Sequence, residues 1–280
     1  MSRGLPRMKT IGLIDGDIFA YEIAASAEEP INWGDGLWTL HSFEEPAIKR
    51  LDARMDELME QVGADELIIA LTGTDNWRYS VLPTYKSNRS NVRKPMLLRT
   101  LKEHLANNYK CFVKKNLEAD DVLGILSTWD GLKGEKVIVT KDKDLKTIPG
   151  KIFLCHKPEL GVMEISEEEA DRFHLIQTLA GDVTDGYSGC PGIGMDTASE
   201  LLDTSTGWES YEHTFKSGKR KGLTEVRWRK TEMRTPWEVI VSCYKKSGLC
   251  EEVAVQQARV ARILRADEYD FKTGEVKLWR

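Results

Sequence analysis

Short apolar runs alternate with amphipathic stretches through the first half of the chain. Four runs rich in β-branched residues predict buried strands at 10–15 (TIGLID), 66–73 (ELIIALTG), 110–114 (KCFVK) and 136–142 (KVIVTKD). Apolar residues at helical spacing predict helices over 44–63, which ends in glycine, and 95–108, which begins with proline. Strands that alternate with helices predict an α/β fold with a mainly parallel, twisted sheet flanked by helices.

The hydrophobic pattern changes at about residue 175, beyond which it becomes helical with irregular loops. We therefore expect an α/β core over 1–175, with a loop or arch around 76–102, and a second region over 176–280. A chain of 280 residues, 41% of them hydrophobic, is long enough to bury the core of one large domain or of two smaller ones.

Composition limits the expected cellular location of the protein and the kinds of site that its cysteines can form. No apolar run is long enough to cross a bilayer, and the opening MSRGLPR lacks the apolar stretch of a secretory signal, so we expect a cytoplasmic protein without membrane partners. The five cysteines form no C-x-x-C pair, which argues against a disulfide framework and against a zinc knuckle.

Positive charge is concentrated in two segments, although the net charge of −5 argues weakly against a nucleic-acid partner. Residues 76–102 contain seven basic side chains and no acid, and Glu225 is the only acid of the second segment, 216–230. Such runs are usually solvated surfaces. Two of them in an acidic chain suggest that charge is sorted between regions, as a polyanionic substrate and metal cations together would require.

Acidic residues follow the predicted strands or head the segments next to them. They are Asp15, Asp75, Glu118, Asp120, Asp121, Asp142, Asp144, Asp182 and Asp185. In an open α/β sheet, ligands bind beyond the carboxyl ends of the strands, so the acids that follow strands point to one edge. Asp17 also lies in the first motif, but we leave it out of the site because its side chain would point to the other face if the strand continued.

Each acid has an ordinary structural interpretation, as a strand end, a helix cap or a turn. Together they favour metal binding, because crowded carboxylates repel one another unless cations neutralise them. Oxygen-only ligands suit Mg²⁺ or Mn²⁺. An aspartyl-phosphatase interpretation of LIDGDIF is weaker, because Ile18 and Phe19 stand where a small hydroxyl residue is expected and the downstream acids would have no role.

Five motifs in order carry a family resemblance: LIDGD, TDNWRYSVLPTYKSNR, LEADDVLG, VTKDKDLKTI and GDVTDGYSGCPGIG. They resemble the 5′ nuclease family of flap endonucleases and 5′-to-3′ exonucleases, most closely its short-tailed-phage exonuclease branch. The likeness extends to the closing ARILRADEYDF and VKLW. It implies a metal-dependent phosphodiesterase with a PIN-like sheet core, a helical arch over the active site, and a helix-three-turn-helix element in 176–280 that grips duplex DNA.

The resemblance also implies a two-metal site. Asp15, Asp75, Glu118 and Asp120 would surround one ion, and Asp142, Asp144, Asp182 and Asp185 the other, with Asp121 assisting. One ion would generate a hydroxide-like nucleophile, both would stabilise the phosphate undergoing substitution, and the product would keep a 5′ phosphate. No nucleophile from the protein is then needed.

The remaining roles concern DNA. Lys86 and Arg89 would meet the scissile phosphate, and Tyr85 would stack on a base. The same resemblance and the basic segments give a set of DNA-binding residues: Arg93, Lys94, Gly189, Gly192, Gly194, Lys219, Arg220 and Lys221. In the family, a loop like the one that holds these glycines often binds K⁺ between its carbonyls and DNA.

The sequence thus predicts a 5′-to-3′ exonuclease for double-stranded DNA with 5′ ends or flaps, active in phage DNA replication or recombination. RNA–DNA hybrids, as in RNA-primer removal, are possible further substrates, phage replication proteins possible partners, and the host cytoplasm the expected location. One alternative is a PIN-type ribonuclease, which shares the acidic edge but does not need PGIG or the long C-terminal region. The other is a non-catalytic, structure-specific DNA-binding protein, against which the complete acid set argues.

Overall fold

The computed structural model describes residues 8–89 and 92–280 and divides them into two compact units. The first unit comprises 8–77, 92–170 and 263–277, and the second comprises 78–89, 171–262 and 278–280. Residues 90 and 91 of the predicted arch, like 1–7 of the predicted core, lie outside the described residues.

This division differs from the predicted one, which placed a single boundary between residues 175 and 176. One segment from the predicted core belongs to the second unit, and one segment from the predicted C-terminal region belongs to the first. Residues 78–89 belong to the second unit, where the Arg78 guanidinium donates to the carbonyl of Arg262 at 2.6 Å and to that of Val260 at 3.0 Å. Residues 263–277 belong to the first unit, where the Leu264 N–H donates to Asp121. Buried hydrogen bonds between distant positions therefore set the boundaries.

The first unit is built on a six-stranded sheet of order β5-β4-β1-β6-β7-β8, in which only β8 is antiparallel to its neighbour. Its strands are β1 (Thr10–Asp15), β2 (Glu28–Asn32), β3 (Trp38–Ser42), β4 (Glu66–Thr72), β5 (Cys111–Lys114), β6 (Glu135–Thr140), β7 (Gly150–Leu154) and β8 (Val162–Ile165). Strands β2 and β3 form a separate hairpin. The predicted α/β class with a mainly parallel sheet is confirmed.

Helices flank this sheet: α1 (Gly16–Ser26), α2 (Glu44–Gln61), α4 (Leu98–Asn108) and α5 (Ala119–Thr128). Strand β1 is buried along its whole length between β4 and β6, as its unbroken apolar run predicts. The chain turns directly from β1 into α1 at Gly16, where a Cβ atom would lie 2.5 Å from Ile69 and 2.7 Å from Leu71. This close approach fixes the end of β1 against β4.

The second unit has four helices of nine or more residues around its own core, although α6 begins in the first unit: α6 (Glu167–Ala180), α7 (Met195–Asp203), α8 (Pro236–Lys246) and α9 (Glu251–Ala261). The described part of the predicted arch holds the short helix α3 (Arg78–Val81) and a 3₁₀ turn over Ser87–Arg89. The core includes Leu179, Ile240 and Tyr244.

The region was predicted to be helical with irregular loops, but it also contains two strands. Strands β9 (Thr206–Thr214) and β10 (Thr224–Glu232) form a two-stranded antiparallel hairpin. Charged residues interrupt the apolar alternation of both strands, and the nine-residue connection lacks the two-residue turn that signals a hairpin in sequence. Tryptophan side chains at 208 and 228 instead contribute large apolar surfaces to the hairpin.

Candidate active site

Asp15 is, after Asp121, the most buried of the predicted metal ligands, with 2% of its surface exposed. It ends β1 and caps α1, accepting a hydrogen bond from the Ile18 N–H at 3.2 Å and one from the Thr140 hydroxyl at 3.0 Å. Burial raises the pKa of Asp15, and the negative charges of Asp17 and Asp142 add to this effect against the two hydrogen bonds, so that the pKa is about 7. The structure thus holds a carboxylate where its ionised form is disfavoured.

Asp17 lies in α1 and not on an extension of β1, so the reason for leaving it out of the site is wrong. Its carboxylate forms an ion pair with Lys102 at 2.8 Å and accepts the Thr72 N–H at 3.2 Å. Asp17 nevertheless contributes to the site, because its charge acts on Asp15.

Asp142 and Asp144 follow β6, the strand next to β1. The Asp142 carboxylate accepts the Asp144 N–H at 2.8 Å, which starts a 3₁₀ helix over Lys143–Thr147. Thr140 joins the two strand ends, since its oxygen accepts the Asp142 N–H at 3.0 Å while its hydroxyl donates to Asp15. Thr140 was not among the residues predicted for the site, although its position directly before the KDKD stretch was an available signal.

Glu118, Asp120 and Asp121 begin α5, as predicted, but they differ in environment. Glu118 and Asp121 form a capping box, in which each side chain accepts the backbone N–H of the other. Asp120, in the first turn of the helix, is only partly buried.

The Asp121 carboxylate is fully buried and accepts hydrogen bonds from the Trp77 indole at 3.1 Å, the Leu264 N–H at 3.2 Å and the Glu118 N–H at 3.3 Å. These contacts explain the presence of Asp121 without a metal ion, and its assisting role at a metal stays a prediction.

Asp75 lies on a loop that runs beside the segment leading into α5. Its N–H donates to the Lys115 carbonyl at 2.7 Å, and the Gly73 N–H to that of Leu117 at 2.9 Å. A Cβ atom on Gly73 would lie 1.8 Å from the Lys114 carbonyl oxygen, so only glycine permits this approach. The Asp75 side chain is 62% exposed and lies 3.5 Å from the Lys115 ammonium, and its metal role stays a prediction.

The predicted acids of the first unit lie at the ends of β1 and β6, at the start of α5 and on the loop of Asp75, and Asp142 is near enough to Asp15 to raise its pKa. Within residues 8–89 and 92–280, no three His, Cys, Asp or Glu side chains are arranged to hold a metal ion as they stand.

In the second unit, Asp185 is surrounded by the residues predicted to contact the scissile phosphate. Its carboxylate accepts the Arg89 guanidinium at 2.7 Å and the Tyr85 hydroxyl at 3.0 Å, and the Lys86 ammonium lies at 3.6 Å. The Lys86 N–H donates to the Asp185 carbonyl at 2.9 Å. The two predicted catalytic cations thus neutralise a predicted metal ligand in this structure.

The predicted stacking of Tyr85 on a base is wrong for this arrangement. The Tyr85 side chain is 3% exposed and packs with Tyr187, Val260 and Ala261. The ring is a core residue of the second unit, and its hydroxyl orients Asp185.

Asp182 lies in a tight turn in which its carboxylate accepts the N–H groups of Thr184 at 2.6 Å and Asp185 at 3.2 Å. This is the Asx-turn geometry that gives Asp182 an ordinary structural role. Its part in a metal site stays a prediction.

The three predicted DNA-binding glycines differ in surroundings. Gly189 has φ 62°, and a Cβ atom there would lie 2.3 Å from the Gly181 nitrogen, so Gly189 serves close backbone packing. Gly192, with φ 78°, and Gly194, which caps α7, face open space. The backbone near these two glycines can accommodate the close approach of a ligand.

The predicted DNA-binding cations lie on surfaces. Arg93 forms a bidentate ion pair with Glu28 of β2, with N–O distances of 2.8 and 2.5 Å, whereas Lys94 is exposed. Lys219, Arg220 and Lys221 lie exposed in the connection between β9 and β10.

Residues 10–178 match the family model for the 5′-3′ exonuclease N-terminal, resolvase-like domain. The chain is 36% identical over 290 residues to the exonuclease of Escherichia phage T7, covering 97% of this chain and 94% of the relative. It is also 35% identical to the exodeoxyribonuclease of Enterobacteria phage T3 over 97% of this chain and 93% of the relative. A flap endonuclease Xni of Shewanella oneidensis is 32% identical over 46% of this chain and 53% of its own length.

Solved structures show the same fold. The T5 D15 protein co-crystallised with metal ions has a TM-score of 0.54 and 16% identity, over 70% of this chain and 75% of that one. The T5 5′-exonuclease with bound zinc has a TM-score of 0.55 and 16% identity, over 70% and 76%. In the described part of the chain, no helix has the length and hydrophobicity required to span a membrane.

Proposed function

Because the chain belongs to the 5′-to-3′ exonuclease family, we propose that it hydrolyses double-stranded DNA from 5′ ends with the help of divalent metal ions. The resemblance inferred from the five motifs is confirmed, and the chain is an enzyme, a 5′-to-3′ exonuclease or flap nuclease that acts on DNA. The proposal also includes cleavage of flaps and removal of RNA from RNA–DNA hybrids. It further includes cooperation with phage replication proteins and action in the host cytoplasm during phage replication or recombination.

The metal proposal rests on the environment of Asp15. A buried carboxylate with a raised pKa, next to the charges of Asp17 and Asp142, gains stability when a divalent cation enters. The nearby donors are carboxylate oxygens, which fit Mg²⁺ and accept Mn²⁺. Asp15, Glu118, Asp120 and Asp142 are the residues we propose to hold the ions after side-chain movement, with Asp75 and Asp144 contributing.

Two Mg²⁺ ions bound there would supply an activated water and stabilise charge on the phosphate. The residues of the chain would then position the substrate. In the proposal, Lys86 and Arg89 leave Asp185 and donate to the scissile phosphate, where positive charge is most useful as negative charge develops. Their present contacts with Asp185 keep both side chains oriented on one loop.

Duplex DNA would be held by the turn that contains Gly192 and Gly194. Both glycines are open to solvent, and the N–H groups that begin α7 offer donors to a backbone phosphate. A K⁺ ion at this turn is part of the same proposal, as are DNA contacts from Lys94 and from Lys219, Arg220 and Lys221.

The test is cleavage of end-labelled duplex, flap and RNA–DNA hybrid substrates with Mg²⁺ and with excess EDTA. We expect degradation of the duplex from its 5′ end only when metal is present, with products that carry 5′ phosphates. Cleavage at the full rate in EDTA would overturn the metal mechanism. Preferential cleavage of single-stranded RNA would instead support a PIN-type ribonuclease.

A further inference from the structure

Two lysines meet one tryptophan on the surface of the second unit. Trp208 of β9 and Lys230 of β10 are register partners on the hairpin, and Lys246 is the last residue of α8. The Lys246 ammonium lies 2.9 Å from the centroid of the Trp208 ring, and the Lys230 ammonium lies 5.8 Å from it. The ring therefore attracts both cations to one place.

These three residues line a cavity of about 310 Å³ together with Gly192 and Thr197, which belong to the turn before α7 and to its first helical turn. Glu200 also lines the cavity, so the lining carries two positive charges and one negative charge. The cavity is thus net positive and borders the open backbone of Gly192.

The charges in this cavity are available to a ligand. Among the described residues, neither Lys230 nor Lys246 has a carboxylate within ion-pair distance. The arginines of the same hairpin are arranged differently, since Arg229 is paired with Glu209 at 2.7 Å and Arg227 with Glu225 at 2.7 Å. The hairpin pairs these arginines with its own acids, whereas the two lysines beside the cavity have no ion-pair partner among the described residues.

The geometry points to a backbone phosphate of duplex DNA as the ligand, and we propose that Lys230 and Lys246 bind it while Trp208 positions the Lys246 ammonium. Lysine ammonium groups bind phosphate as point charges. The ring face under Lys246 is not open to a base, so the cavity lacks the stacking surface that single-stranded nucleic acid favours. This inference rests on the proposed function, because it extends the duplex grip expected at Gly192.

Lys246→Gln and Lys230→Gln test the proposal, with Lys245→Gln as the matched control. Lys245 precedes Lys246 on α8 and is also exposed, but it lines a different cavity. Binding of a blunt duplex is measured by fluorescence anisotropy in EDTA between about 50 and about 200 mM salt. Each cavity variant should bind about tenfold more weakly at the lower salt, and the slope of log K against log salt should fall by about one phosphate contact.

Lys245→Gln should change the affinity and the slope much less. Trp208→Leu should weaken binding about threefold with the slope unchanged, because both charges remain. Thermal melting of every variant checks that it is folded. The proposal is overturned if Lys246→Gln binds duplex like Lys245→Gln, or if it loses as much affinity for a single strand of the same length as for duplex.

Because binding is measured without divalent metal, its outcome is separate from that of the cleavage test. Metal-independent cleavage would overturn the proposed mechanism. It would not affect the proposal that Lys230 and Lys246 bind a backbone phosphate. Unchanged binding by the cavity variants would overturn the proposal that Lys230 and Lys246 bind phosphate. It would leave the proposed metal-dependent cleavage unaffected.

Discussion

Asp15 and Asp185 were both predicted to be metal ligands, yet the structure gives them opposite electrostatic surroundings. Asp15 is buried in the first unit, with a neutral hydroxyl and a backbone N–H as its partners and with Asp17 and Asp142 as charged neighbours. Asp185, in the second unit, accepts hydrogen bonds from Arg89 and Tyr85 and lies near the Lys86 ammonium.

These two environments differ in whether the carboxylate requires a cation from outside the protein. An ionised carboxylate next to like charges costs folding free energy, and an added cation can recover it. A carboxylate that already has cationic partners does not carry this free-energy cost. Its removal leaves those cations without a partner. The same residue type therefore favours metal binding in one unit and internal ion pairing in the other.

The largest effect is expected from Asp15→Asn, which should reduce Mg²⁺-dependent cleavage by more than about a hundredfold, because it removes a charged oxygen ligand. Single-turnover cleavage of duplex DNA measures the loss. Asp120→Asn should lose cleavage as well, whereas Arg99→Ala, which removes an exposed cation paired within α4, should keep the wild-type rate.

The same Asp15→Asn variant should be more stable than the wild type in EDTA, by up to about 4 kcal/mol at neutral pH. The folded pKa of about 7 lies above the ordinary 3.8, so the penalty is absent below pH 3.8, grows as pH rises to about 7, and then stays constant. Melting temperatures in EDTA across this pH window check the sign. Mg²⁺ should raise the melting temperature of the wild type more than that of the variant.

A wild type that is the more stable protein at neutral pH in EDTA would contradict the account of Asp15 as an uncompensated charge. Asp15→Asn keeps one oxygen, which can accept from Thr140 or from the Ile18 N–H but not from both, so the variant loses one hydrogen bond, about 1 kcal/mol, which is less than the expected gain.

The next effect concerns the cations around Asp185. Lys86→Ala and Arg89→Ala should each slow single-turnover cleavage at saturating enzyme by about a hundredfold, if they stabilise charge in the transition state. Arg93→Ala is the control, because Arg93 is paired with Glu28 and should affect only affinity and its salt dependence. A wild-type rate for both variants at saturation would mean that these cations serve Asp185 and guide DNA without acting in chemistry.

Asp185→Asn should act on stability in the opposite sense to Asp15→Asn. It leaves Lys86 and Arg89 without their carboxylate, so we expect the second unit to lose about 1–2 kcal/mol. The Lys86 N–H, which donates to the Asp185 carbonyl, should exchange faster with solvent deuterium. Unchanged exchange and melting would show that Asp185 does not hold the 84–89 segment in place.

The sequence predicted the parts of this picture that depend on local pattern. The buried strand ending in Asp15 and the acid-headed helix at Glu118 follow from hydrophobic periodicity and capping chemistry. The pairing of Asp185 with Lys86 and Arg89 joins positions nearly 100 residues apart, and nothing in local pattern encodes such a contact. The hairpin of β9 and β10 was missed for the related reason that its strands lack clean alternation.

The burial and contacts of single side chains were equally difficult to predict from the sequence. Asp121 and Asp120 are neighbours in sequence, yet one is fully buried and bonded to three N–H groups and the other is partly exposed. The family resemblance implied that Tyr85 stacks on a base, but its ring completes a small core. Burial is decided by the assembled fold, so a motif identifies candidate residues more reliably than it assigns their roles.

The smallest effect is expected at the Glu28–Arg93 pair, which extends the comparison to an acid with a cationic partner at the surface. The Arg93 guanidinium and the Met96 N–H lower the pKa of Glu28 to about 2 from the ordinary 4.5. The stabilising contribution of Glu28 is therefore present above pH 4.5 and is lost as pH falls through about 2, which is the opposite of the trend at Asp15.

Because solvent screens the pair, Glu28→Gln should lower the melting temperature only slightly at pH 6, and the difference from wild type should vanish near pH 2. Glu45→Gln, which breaks the more exposed pair with Lys49, is the control and should change the melting temperature less. A loss at Glu28→Gln as large as that at Asp185→Asn would mean that exposure does not set the size of these contributions, and the contrast between the two units would then need another cause.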